Sequence, residues 1–312
     1  MRGFAVRFRK GSLMKGAHYF ARDLGNVLLL QGVETHSVNG VRVVVVPDRN
    51  LLGYVTSLLV QYRLAEHSTQ SVTIKLARAP SQVDFWRSLA AALEPSDCPN
   101  AKVFFFDEIE GNLYAKLWAE RFVTEAAPGV LSSIVPIDAG DGSREHAESE
   151  AARLSEALRV WSTPDTYTLA VGGTSPNPSE GPYECHLAFH REDIAGDITS
   201  PYMAIPMSPA ASVQQAAESV VTSSSEIEGK WVVSSTAHDL TQNTDDLILC
   251  IPEQRGRNLW RMLHDNPDTL PAAQIQRHRR LQASASEQWP SVVVVTVRSS
   301  WNEYQDEAKH NA

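Results

Sequence analysis

The chain has 312 residues and a formal net charge of −9, with 43% hydrophobic and 21% charged residues. That is ordinary globular usage, so a substantial core can form, while the acidic balance argues against nucleic acid or anionic membranes as partners. Three cysteines (Cys98, Cys185, Cys250) are too few for a disulfide scaffold and fit a reducing compartment such as the cytoplasm, and no apolar run approaches the roughly 20 residues that span a bilayer.

Residues 1–40 read as a basic N-terminal extension. Residues 1–22 carry six basic side chains (Arg2, Arg7, Arg9, Lys10, Lys15, Arg22) and no acid, interleaved with Phe4, Val6, Phe8, Leu13 and Phe20. This is the composition of an organellar, for example mitochondrial, presequence. It is equally that of a basic extension with no address. From residue 41 to 312 no compositional shift marks a boundary, so the rest reads as one domain.

Strand-like and helix-like patterns then alternate. Val41–Val46 is an apolar run broken only by Arg42, as expected for a strand covered on both faces. Asp48 can cap the following helix, whose apolar positions are Leu51, Leu52, Val55, Leu58, Leu59 and Tyr62. Val72–Leu76 is the next strand, followed by a helix capped by Ser81 and carrying Phe85, Trp86, Leu89 and Leu93. Residues 102–106 form a third strand and 112–126 a third helix. A long amphipathic helix over 143–161 buries Ala147, Ala151, Leu154, Leu158 and Trp161, and a strand over 166–171 follows it. Residues 172–182 are rich in Gly and Pro and form a loop. Residues 195–209, rich in Pro and small residues, read as irregular. Trp231–Ser235, 247–251 and Val292–Val297 supply three more strands, and 258–263 is helical. This alternation implies βαβ units with right-handed crossovers: an α/β, three-layer sandwich around a mainly parallel, Rossmann-like sheet.

One block stands out for chemistry. Glu184-Cys185-His186-Leu187-Ala188-Phe189-His190 follows the 166–171 strand and its Gly172-Gly173 turn. Such a position lies at the carboxyl edge of the sheet, where open α/β folds place their ligands. A histidine beside a carboxylate there can move a proton near neutral pH. Cys185, His186 and His190 lack a fourth metal ligand at standard spacing, so no metal is expected. The basic run Arg277-His278-Arg279-Arg280 has no interleaved aromatics and reads as a solvated face.

Taken in order, four stretches between about residues 41 and 300 resemble the glucosamine-6-phosphate isomerase/deaminase and 6-phosphogluconolactonase superfamily. Ala77-Arg78-Ala79-Pro80 stands where the family has its Gly-Ser-Thr-Pro phosphate turn, and keeps only the proline. Asp107-Glu108 matches the family's acidic pair at the end of the third strand. Glu184 to His190 matches an Asp-Gly-His motif followed by Ala-Phe-Asn; His186, Ala188 and Phe189 are kept, while Glu184, Cys185 and His190 are replacements. Pro252-Glu253-Gln254-Arg255 matches a Gly-x-x-Lys that leads into a helix, with arginine for lysine.

The resemblance implies a small phosphosugar as ligand and neither metal nor redox cofactor. It implies catalytic roles for His186, supported by Glu184, and for Asp107 with Glu108 beside it. It implies phosphate contacts from Arg78, the backbone at Ala79, and Arg255. Ala188-Phe189 lies nearer the deaminase branch, so glucosamine-6-phosphate-type isomerase/deaminase chemistry in carbohydrate metabolism is the first expectation. A lactonase-type hydrolase, or a catalytically silent phosphosugar-binding or interaction protein of the same fold, is the alternative. The residues leave open whether the chain assembles with copies of itself.

Overall fold

The computed structural model describes residues 17–79, 82–92, 100–110, 133–174, 184–191, 194, 199–217, 223–284, 287 and 289–311. Its centre is an eight-stranded sheet. In spatial order the strands are β1 (Glu34–Val38), β2 (Val41–Val46), β11 (Val292–Val297), β10 (Asp246–Ile251), β7 (Tyr167–Gly172), β3 (Val72–Leu76), β4 (Ala101–Phe105) and β6 (Ser133–Ile134). All neighbours pair in parallel except β1, an antiparallel edge strand hairpinned to β2.

The alternation of side chains along each strand feeds two cores. Val44 and Val46 of β2, Ile248 and Cys250 of β10, and Val293 and Val295 of β11 face one core. Val41, Val43, Val45, Leu247, Leu249, Val292 and Val294 face the other. The first core is covered by α1 (Ala17–Leu28), α2 (Arg49–Glu66), α3 (Val83–Ala92) and α4 (Arg144–Trp161). The second is covered by α6 (Ala237–Gln242), α7 (Gly256–His264) and α9 (Arg298–His310). Burial on both faces is why these strands are apolar at nearly every position rather than alternating, Arg42, Asp246 and Thr296 being the exceptions. Asp48 caps α2 as expected, accepting from Leu51 N–H, and Ser143 caps α4 through His146 N–H.

Several features depart from the sequence expectations. Residues 195–209 are not wholly irregular: Tyr202–Pro206 is a strand (β8), because Pro206 sits at its end, where no ladder donor is lost. Trp231–Ser235 (β9) is a strand but not of the main sheet. It pairs antiparallel with β8 and with the two-residue β5 (Asp107–Glu108) in a small second sheet. Residues before 41 also join the fold: Phe20 and Leu24 of α1 are buried against the first core. Ser81, Leu93, Cys98 and the expected helix over 112–126 lie outside the described residues.

The chain runs from β3 outward through β4 to β6, then returns to β7 on the other side of β3 and continues to β10 and β11. The direction of winding therefore reverses between β3 and β7. In open α/β sheets the crevice outside the carboxyl ends at that reversal is the place for a ligand.

Candidate active site

The segments that leave β3, β7, β4 and β10 at their carboxyl ends converge on one cleft. Its lining includes Ala77, Arg78 and Ala79 after β3, and Phe106, Asp107 and Ile109 after β4. Gly173 and Thr174 follow β7, Ala188 and Phe189 come from the motif block, and Arg255 lies beyond β10. Four of the residues singled out from sequence, Arg78, Ala79, Asp107 and Arg255, are thus brought together, although 28 or more positions separate Ala79 from Asp107 and Asp107 from Arg255.

Arg78 is buried and held on two sides. One guanidinium nitrogen pairs with the Glu108 carboxylate, and the group lies 4.0 Å from the Phe105 ring centre. Successive residues of a strand point to opposite faces, so Asp107 faces the cleft while Glu108 turns away. Glu108 accepts from Arg78 and from Ile109 N–H at 3.1 Å. It is the buried counter-charge that fixes Arg78, rather than a group facing the cleft.

Asp107 occupies the junction of the two sheets, paired with Ser234 across β9. Burial pushes its carboxyl up to about 7, against the pull of Arg78 in the opposite direction. A carboxyl poised there exchanges protons near neutrality, as a general acid–base group must. Arg255 donates through Nε to the carbonyl of Thr174 at 2.9 Å, and its backbone N–H is held by Ser300 Oγ at 3.1 Å. It therefore presents cationic edge to the cleft from a fixed position at the start of α7.

The motif block forms the adjoining wall and is stitched to the β7 turn. Thr174 Oγ1 donates to the carbonyl of His186 at 2.9 Å, and Leu187 and His190 close a two-residue turn by mutual backbone bonds. Ala188, at the first corner, has φ 54°, a left-handed conformation that costs a non-glycine residue about 1–3 kcal/mol and persists only where neighbours enforce it. That turn is what carries Ala188 and Phe189 to the cleft.

His186 itself is 1% exposed and does not line the cleft. Its Nε2 lies 2.7 Å from Glu184 Oε2, and its Nδ1 has no hydrogen-bond partner among the described residues. Burial alone would raise the Glu184 carboxyl, but hydrogen bonds from His186 and Ser208 outweigh it and hold the group below the usual carboxylate range. His190 accepts Ala237 N–H on Nδ1 at 3.0 Å, and burial, then His186 and Arg191 beside it, lower its pKa to about 4, leaving it neutral.

Gly172 explains the packing of the floor. A Cβ there would come within 2.2 Å of the Phe106 ring. Gly172→Ala is therefore expected to destabilise by about 1–3 kcal/mol and to displace Phe106, a cleft residue. Urea unfolding together with ligand titration will read both effects.

Sequence reasoning did not find Thr174, Ile109, Gln214 or Gln215, all of which line the cleft. Thr174 was legible only as part of a glycine-rich turn. The two glutamines lie on a helix beyond a segment that reads as irregular.

A larger cavity of about 420 Å³ opens at the amino-terminal rim, lined by Lys75, Arg159, Thr166, Thr168, Asp239 and Arg279 among others. Its cations are already matched, Lys75 by Asp239, Arg159 by Glu156 and Arg279 by Asp245. The smaller cleft combines the carboxyl-edge position with a perturbed acid, so it is the stronger site despite its size.

No family model matches the sequence, and no curated protein matches it significantly. Solved structures do. A 6-phosphogluconolactonase from Plasmodium vivax superposes with a TM-score of 0.59 at 11% identity, over 92% of this chain and 99% of that one. A 6-phosphogluconolactonase from Shewanella baltica gives 0.49 at 12% identity, over 84% of this chain and 98% of its own. A protein from Neisseria gonorrhoeae described as a 6-phosphogluconolactonase gives 0.43 at 15%, over 81% and 97%. With the Plasmodium vivax structure matched almost end to end, the chain has the fold seen in that 6-phosphogluconolactonase.

Proposed function

We propose that the protein is a hydrolase of the phosphosugar-lactone type, acting on 6-phosphogluconolactone or a close analogue. The observation that carries the reading is the meeting of Arg78, Asp107 and Arg255 in one cleft at the reversal point of the sheet. The fold comparison favours this branch over the deaminase chemistry to which Ala188-Phe189 pointed.

In this reading Arg255 and Arg78, with the backbone N–H of Ala79, hold the phosphate; guanidinium groups suit phosphate oxygens in paired contacts. The Asp107 carboxylate takes a proton from a water as that water attacks the lactone carbonyl. It returns the proton to the ring oxygen as the C–O bond breaks, giving a sugar acid and leaving no net change in the protein. His186 and Glu184 hold the wall that carries Ala188 and Phe189.

One observation favours a second reading, a phosphosugar-binding protein without turnover: His186, the family's catalytic histidine by resemblance, is enclosed away from the cleft. Assays with 6-phosphogluconolactone and glucosamine 6-phosphate separate the readings. The expected result is enzymatic lactone opening, with kcat/KM lowered about 100-fold or more in Arg255→Ala as a charged phosphate contact is lost. Stabilisation by 6-phosphogluconate without turnover of either compound would establish the second reading and remove the first.

A further inference from the structure

The cleft has a wall that none of the four motif stretches supplies. Helix α5 (Pro209–Ala217) brings Gln214 and Gln215 to it. Proline at the first helical position fits the start of this helix. Ser208 stabilises the first turn: its Oγ accepts Ala211 N–H at 3.0 Å and its carbonyl accepts Ser212 N–H at 2.9 Å. The inner face of α5 packs Ala211 beside Phe189, Ile109 and Ile205 in a third apolar cluster, while Val213 is left exposed on the outer face.

Two facts give this wall a chemical direction. Ser208 Oγ donates to Glu184 Oε2 at 2.7 Å, the same oxygen that lies 2.7 Å from His186 Nε2. The helix is thereby tied to the motif block through one carboxylate oxygen. Neither glutamine amide bonds to any other described residue, although both line the cleft. The cleft is a shallow, partly open one, its innermost space only about 60 Å³. A phosphosugar seated there by its phosphate lies against these walls.

We propose that α5 is the sugar-recognition wall of this cleft, with the Gln214 and Gln215 amides binding the hydroxyls of a phosphosugar acid or lactone and Ser208 acting as the positioning residue that fixes the wall to Glu184. The inference rests on the phosphosugar reading and deepens it. An amide donates and accepts without charge, which suits adjacent hydroxyls and leaves the phosphate to the arginines. A site built to bond a hydroxyl discriminates strongly against an analogue that lacks it, because its own polar groups are then left unpaired.

The test compares wild type with Gln214→Ala/Gln215→Ala, Ser208→Ala and Ser208→Thr. Titration with 6-phosphogluconate is run beside titration with inorganic phosphate, and lactone turnover is measured with 6-phosphogluconolactone and its 2-deoxy analogue. The double glutamine variant is expected to bind 6-phosphogluconate about 10- to 100-fold more weakly and to bind phosphate as wild type does. Its KM rises with kcat nearly unchanged, and the preference for the hydroxylated lactone over the deoxy one is lost. Ser208→Ala shifts KM in the same direction, and Ser208→Thr, which keeps the hydroxyl, restores it. Equal 6-phosphogluconate affinity in wild type and the double variant overturns the inference, whatever the turnover. Binding by wild type that depends on the glutamines, without turnover, overturns the hydrolase reading and leaves the wall in place. Binding of phosphate alone by wild type overturns both.

Discussion

Asp107→Asn is expected to lower kcat by about 10²- to 10⁴-fold, the usual contribution of a positioned acid–base group, while making the protein more stable at alkaline pH. The two effects have one cause. Burial raises this carboxyl from its ordinary 3.8 to about 7. Between those values the folded protein holds a proton that the unfolded chain has released, so stability falls as pH rises through that window and is lowest above it. The contribution is fully present below about pH 4 and is lost by about pH 7. Asparagine removes the titration. Melting curves from pH 4 to 9 should therefore show wild type losing stability relative to the variant, with the difference largest above pH 7. Turnover by wild type should rise with pH through the same range as the base form appears. A variant with wild-type kcat would remove Asp107 from the chemistry, and parallel melting curves would mean that its carboxyl is not raised. A site residue whose removal stabilises the fold is the expected mark of an acid kept in place for function.

The second large effect concerns the support beneath the site. Lys75, in the middle of the parallel sheet, pairs with Asp239 on α6, and both side chains are buried. The same helix gives Ala237 N–H to His190, and so braces the motif block from below. Lys75→Met leaves the Asp239 carboxylate buried with only the Asn243 amide, at 3.3 Å, as a side-chain partner. Breaking one half of a buried pair costs about 3–5 kcal/mol. Replacing both halves, as Lys75→Met/Asp239→Leu, is often neutral or better, since neither charge then has to be desolvated. Urea denaturation of the single and double variants is the check. A single variant within 1 kcal/mol of wild type would show that the pair does not hold α6.

Much of this arrangement could be read from the chain before any coordinates. Parallel strands covered on both faces are apolar at most positions instead of alternating, so Val41–Val46, Val72–Leu76 and Val292–Val297 were legible as strands despite Arg42, Thr73, Lys75 and Thr296. Because all such strands point the same way, the residues just past their ends gather at one rim. Arg78, Asp107 and Arg255 were found by that logic together with the family resemblance.

The remainder was hidden for physical reasons. Whether an acid at a strand end faces a cleft or a neighbouring arginine depends on a single-residue alternation, and this separates Asp107 from Glu108. The small sheet escaped notice because its linking strand is two residues long and continues directly from β4. A histidine beside a glutamate looks alike whether its loop turns outward or, as His186 does, inward. Gln214 and Gln215 carry no motif, and only the packing of α5 on Phe189 and Ile109 reveals their position.

One cleft at the carboxyl rim is expected to seat a phosphosugar by its phosphate. A crystal structure of the protein grown with 6-phosphogluconate tests this most directly. The expected result is phosphate oxygens within hydrogen-bonding distance of Arg255 and the Ala79 backbone, with Asp107 facing the carboxyl end of the ligand. Phosphogluconate bound at the amino-terminal rim, or an empty cleft at a saturating ligand concentration, would contradict it.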